Sequence, residues 1–142
     1  MLKGIPDKIS PDLMHALMSM GHGDEIVIAD GNFPAASNAR LLIRADGHGV
    51  CDILRAVAQF FPLDTFVEDN AVVMAVTDPE ASEPSIWNDF RSILSDAEGH
   101  EVRLSVVERF KFYERSRKAF CIVATSETAI YANIILKKGV VQ

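Results

Sequence analysis

Cysteine is scarce. Cys51 and Cys121 are the only two in 142 residues, far apart and in no metal-spaced or redox pattern, so buried free thiols are expected rather than a disulfide. Basic charge is scarce as well: Lys and Arg number 14 against 20 Asp and Glu, a net charge of −6. That balance, with a pI of about 5.1, removes any global electrostatic reason to bind nucleic acid or an anionic membrane. No apolar run approaches the roughly 18 residues of a membrane span. The opening Met1-Leu2-Lys3-Gly4-Ile5-Pro6 lacks the continuous apolar segment of a signal peptide, so a cytoplasmic location is expected. The phosphate-cradling GxxxxGK(S/T) and GxGxxG loops are absent, as are the GxSxG nucleophile elbow and any reactive-cysteine signature.

What is present is an ordinary globular composition, 49% apolar and 24% charged, far from the corner occupied by disordered chains. The length fits one domain over residues 1–142, of a size that buries roughly two-thirds of its unfolded surface. Mean hydropathy is +0.13, high for so short a soluble chain, which suggests that some apolar surface is buried between copies.

Ser10-Pro11-Asp12 reads as a helix start, with a capping serine, proline at the first helical position and an acid in the first turn. Apolar residues follow at helical spacing to Met20, with Gly21 placed for a left-handed cap. Residues 25–29 (EIVIA) read as a buried strand, and the loop from Asp30 to Asn38 follows it. Further strands are expected at 41–44, 71–76, 102–107, 120–125 and 133–136, and helices at 50–61, 85–95 and 109–118. The alternation is that of an α/β domain with a central, largely buried sheet covered by helices.

Four constellations could carry chemistry. In Gly21-His22-Gly23-Asp24-Glu25, flanking glycines leave an imidazole uncrowded, and a group titrating near pH 6.5 suits acid/base work; a surface turn histidine is the plain alternative. A metal site built from His22 with Asp24, His48 or His100 lacks ligand spacing. Asp30-Gly31-Asn32-Phe33-Pro34 stands at the C-terminal end of the first buried strand, where α/β sheets present ligand groups; it is equally readable as an Asx-turn. In Arg109-Phe110-Lys111-Phe112-Tyr113-Glu114-Arg115, helical spacing puts Arg109, Phe112 and Tyr113 on one face. The alternative there is an amphipathic helix packed by Phe110 and Tyr113. Tyr131 and Asn133, two apart, point to the same side if extended.

Taken together, residues 9–35 (ISPDLMHALMSMGHGDEIVIADGNFPA), 43–47 (IRADG), 109–120 (RFKFYERSRKAF) and 131–140 (YANIILKKGV) resemble the fucose mutarotase and ribose pyranase family of sugar-anomer enzymes. The resemblance covers nearly the whole chain and is weakest around 66–104. It implies His22 as proton donor, Asp30, Arg109, Tyr131 and Asn133 as sugar contacts, and Asp64 and Tyr113 as further catalytic residues. The ribose branch typically has histidine where this chain has Arg109 and lacks FYER, so L-fucose is the expected sugar, with D-ribose second. The implied reaction interconverts α and β anomers by acid/base-catalysed opening and closing of the pyranose, with no cofactor and no metal. The implied assembly is a homodecameric ring with sites near subunit boundaries. A non-catalytic sugar-binding or sugar-transport accessory module and a ring-forming structural protein without ligand are the competing readings.

Overall fold

The structure is a computed structural model describing residues 1–142. Six strands form one sheet in the order β2-β5-β1-β6-β3-β4: β1 (Glu25–Ala29), β2 (Leu42–Ala45), β3 (Ala71–Met74), β4 (Ser105–Val107), β5 (Cys121–Thr125) and β6 (Ile134–Lys137). Five are mutually parallel. β6 runs against both neighbours, β1 and β3. The carboxyl ends of β1, β3, β4 and β5 therefore share one edge of the sheet with the amino end of β6.

Helices cover both faces, because alternate residues of each strand point to opposite sides. Ile26, Ile28, Val123 and Ile134 pack beneath α1 (Pro11–Ser19), α3 (Val50–Ala58) and α4 (Ile86–Glu98). Val27, Ala29, Ile122 and Ile135 pack against α5 (Arg109–Lys118) and the short α2 (Ala35–Asn38), with Phe112 at the centre. Phe90 and Phe112 are fully enclosed, one on each side, and burial of such a side chain contributes about 1.5–3 kcal/mol. The expected α/β sheet covered by helices is the observed architecture.

Several local expectations need correction. α1 begins at Pro11 with the Ser10 side chain accepting from the Leu13 N–H, as expected, but Gly21 is not its left-handed cap. The chain leaves the helix extended at Met20, and the left-handed residue is Gly23, at φ +85°. The reason is Asp24, whose carboxylate accepts from the Gly21 N–H at 2.7 Å and closes the turn one step later. In α5, Tyr113 packs as expected against the core, but Phe110 is 70% exposed and Phe112 is the buried anchor in its place. Cys51 is half-buried, Cys121 is fully buried, and neither is paired. Burial pushes their thiols up to about 11 and about 12, which leaves both inert near neutral pH. No helix is long and apolar enough to cross a membrane.

α5 is pinned to the sheet by Arg115, which donates from Nε to Glu25 at 2.6 Å and from Nη1 to Asp69 at 2.8 Å. Its Nη2 also reaches the Asp69 carbonyl at 3.0 Å. This fork ties the helix to the start of β1 and to the loop preceding β3.

Candidate active site

Five of the seven residues singled out in the sequence converge on the carboxyl-end edge of the sheet. Asp30 follows β1, Arg109 and Tyr113 stand in the first turns of α5 just after β4, and Tyr131 and Asn133 lie just before β6. With Asn32, Phe33, Met74, Thr77 and Ile130 they line a cleft of about 320 Å³. Its chemistry is mixed, polar groups standing beside apolar surface from Phe33, Met74 and Ile130, which suits a small ligand with both polar and apolar faces.

The floor of the cleft is a buried pair. Asn133 donates from Nδ2 to Asp30 Oδ2 at 3.0 Å, and its Oδ1 accepts from the Asp30 N–H at 2.8 Å. Asp30 Oδ1 accepts from the Asn32 N–H at 3.0 Å. The Asx-turn considered for this loop is therefore real, and it also serves the site: the carboxylate is fixed in place, and each oxygen keeps a lone pair for a ligand hydroxyl. Both residues are buried.

Arg109 lies 5.6 Å above the Tyr113 ring, a cation–π arrangement that steers the guanidinium over the cleft. Phe33 packs edge-on against Phe112 and tilted against Tyr113, holding the aromatic wall upright. Tyr131 reaches the same cleft, but not by the extended geometry expected. Its φ is +56°, in the left-handed region, and the strand starts only at Ile134. The connection before it is braced by Glu127. Its carboxylate accepts from the N–H groups of Val50, Thr128 and Ala129, and its carbonyl accepts from Gly31 at 2.9 Å. A Cβ at Gly31 would sit 3.0 Å from that carbonyl, so any larger residue there requires the Glu127 backbone or the loop carrying Asp30 to give way by a few tenths of an ångström.

The other two residues, His22 and Asp64, lie together at the opposite edge. His22 precedes β1, and its Nε2 is 3.3 Å from Oδ2 of Asp64. Asp64 is buried, while the His22 side chain is 48% exposed. The Phe66 N–H donates to Asp64 Oδ1 at 3.0 Å, and this, with a smaller contribution from His22, holds the carboxyl below its ordinary range. The Asp64 carboxylate faces Nε2 and so favours the tautomer with its proton there and the lone pair on Nδ1. The Phe66 ring packs on the imidazole, with centroids 5.6 Å apart. Behind them, a Cβ at Gly139 would fall 2.5 Å from the Leu63 carbonyl and 2.9 Å from Asp64 Cα, so only glycine lets Asp64 sit here.

Within one chain, then, the expected site is divided. The five residues of β1 span about 17 Å, and His22 precedes them while Asp30 follows, so one monosaccharide cannot touch both. The structure joins His22 to Asp64 and joins Tyr113 to the Asp30 cleft. Participants not read from the sequence include Phe66, in a segment with no recognisable pattern, the cleft-lining Met74 and Ile130, the bracing Glu127, and Thr77, an exposed threonine whose only signal is its place just beyond a buried strand. No group of three or more His, Cys, Asp or Glu residues is arranged to hold a metal ion.

Comparisons with known proteins identify the family and the fold. The chain is 51% identical over 145 residues to a fucose mutarotase of Homo sapiens, covering 98% of this chain and 94% of that one. It is 41% identical over 140 residues to an L-fucose mutarotase of Histophilus somni, covering 99% and 97%. Its fold superposes with a TM-score of 0.93 on the crystal structure of the fucose mutarotase in complex with L-fucose from Streptococcus pneumoniae, at 48% identity and coverage of 99% and 100%. The model of the RbsD / FucU transport protein family matches residues 3–141, and the chain belongs to that family.

Proposed function

We propose that this chain is an L-fucose mutarotase-like isomerase, interconverting the α and β anomers of the free sugar, and that its active site is completed by a second copy of the chain. The observation that carries the reading is the division just described: a rigid polyhydroxyl-binding cleft at one edge and an oriented, half-exposed imidazole at the other. Exposed apolar side chains accompany both. Ile130 is 68% exposed and Phe110 70% beside the cleft, and Phe66 is 71% exposed beside His22. Such surface next to polar machinery is expected where another subunit covers it. The high hydropathy of the chain has the same explanation, and a homodecameric ring in the cytoplasm is part of this reading.

In that arrangement Asp30, Asn133, Arg109 and Tyr131 of one copy hold the sugar hydroxyls, and His22 of its neighbour faces the anomeric centre. His22 Nδ1 takes the proton of the anomeric hydroxyl. The O1 electrons form the C1 carbonyl, the C1–O5 bond breaks, and O5 takes a proton from the Tyr113 phenol, which lines the cleft. Rotation about C1–C2 and reversal of the proton transfers close the ring on the other face, so nothing is consumed. Asp64 orients the imidazole and stabilises it when charged.

Saturation-transfer NMR of L-fucose, D-ribose and D-galactose with and without protein tests this directly. Accelerated α-to-β exchange of L-fucose above the buffer rate is expected, with D-ribose the next best substrate. L-fucose binding without acceleration would instead establish a non-catalytic sugar-binding module.

A further inference from the structure

Tyr131 is held far more tightly than a sugar-contacting side chain on a loop requires. Its backbone adopts φ +56°, which a bulky residue rarely does, and such conformations persist where the surroundings over-determine them. The surroundings are visible. The Trp87 indole N–H, from α4, donates to the Tyr131 carbonyl at 3.0 Å. At the other end of the residue, the Thr77 N–H donates to the phenol oxygen at 3.3 Å, and the Thr77 hydroxyl lies 2.9 Å from the same atom.

The phenol oxygen has two lone pairs and one hydrogen. The Thr77 N–H occupies one lone pair. The Thr77 hydroxyl can rotate, and either accepts the phenol hydrogen or donates into the second lone pair. In the first state the phenol is satisfied without a ligand. In the second, its hydrogen is free for a ligand oxygen while every lone pair is still engaged. We propose that Thr77 is a positioning residue for sugar binding, whose hydroxyl turns from acceptor to donor when sugar arrives and thereby commits the Tyr131 phenol to donate to the sugar.

Donation by Thr77 also stabilises the phenolate. Tyr131 accordingly ionises below the ordinary tyrosine range, chiefly through the Thr77 hydroxyl and then its N–H. Arg109 of α5 acts in the same direction, and Asp78, in the connection after β3, opposes it. Asp30 and Tyr113 are the other titratable groups lining the cleft.

The role of the sugar rests on the L-fucose reading, whereas the Thr77–Tyr131 coupling does not, and the experiment separates them. The chain has two tyrosines, so in a Tyr113→Phe background the ultraviolet phenolate band reports Tyr131 alone. In that background and without sugar, Thr77→Val is expected to move the phenol titration up towards the ordinary value of about 10, and Thr77→Ser to leave it where the parent has it. With Tyr113 restored, Thr77→Val is expected to raise KM for L-fucose severalfold with kcat changed less, and Thr77→Ser to retain the parental KM. An unmoved titration in Thr77→Val, or a Thr77→Ser variant matching Thr77→Val, would overturn the proposal. A shifted titration with unchanged KM would overturn the sugar-binding role while leaving the coupling in place. If no variant, nor the parent, accelerates L-fucose exchange, the functional reading fails and the titration still judges the coupling.

Discussion

Replacing His22 by alanine slows α-to-β exchange of L-fucose by about 10²–10⁴-fold, the usual contribution of a general acid/base group, without unfolding the protein. The side chain is half-exposed and its neighbours are the buried Asp64 and the exposed ring of Phe66, so its loss opens no core cavity. Asp64 keeps the Phe66 N–H after the substitution and is not stranded. Exchange kinetics by NMR, beside thermal melts of parent and variant, check both halves of the expectation. Replacing Asp64 by asparagine gives a smaller loss, since the imidazole remains but loses the anion that selects its tautomer. A His22→Ala protein that turns over at the parental rate would remove the imidazole from the mechanism.

The second large effect is expected at the floor of the cleft. Asn133→Asp is nearly isosteric, yet it replaces the Nδ2 donor to Asp30 with an oxygen, bringing two carboxylates to about hydrogen-bond distance in a buried site. The introduced carboxyl therefore holds its proton well above the ordinary Asp range. A carboxyl whose folded pKa is raised binds more protons folded than unfolded. The penalty is thus small below the unfolded value of about 3.9 and grows as pH rises to the raised folded pKa, then stays constant. At neutral pH the loss is expected at about 1–3 kcal/mol or somewhat more, or roughly 4–10 °C in Tm for a chain of this size. Melting curves of parent and variant from pH about 4 to about 8 read this directly. A difference in Tm that does not grow with pH contradicts the account of the pair. L-fucose exchange should fall with it if Asp30 binds the sugar hydroxyls as proposed, because its carboxylate is no longer held in register.

Much of this was legible in the sequence, for identifiable reasons. Ser10-Pro11-Asp12 starts a helix through local chemistry alone, and EIVIA is too short and too β-branched for anything but a buried strand. The direction of β6 was not legible, since periodicity carries no strand polarity, and that direction is what brings Asn133 beside Asp30. The helix ending at Glu98 was read three residues short, although Gly99, left-handed in the structure, marks its true end. α2 has too few residues to show a period. The site residues could be picked out by type and by resemblance, yet their division could have been anticipated from spacing: a five-residue strand between His22 and Asp30 already separates them. Thr77 had no such signal, because its importance comes from a contact with Tyr131, 54 positions away in sequence.

The central claim is that one active site draws on two copies of the chain, and mixing two dead proteins tests it. His22→Ala retains the cleft and lacks the imidazole; Arg109→Ala retains the imidazole and lacks a cleft residue. Each alone is expected to exchange L-fucose near the uncatalysed rate. Dissociated, combined in equal amounts and reassembled, they are expected to recover a substantial fraction of parental activity, because some boundaries then pair an intact cleft with an intact His22. Mixed assemblies, confirmed by mass, that stay as inactive as either variant alone would contradict the account.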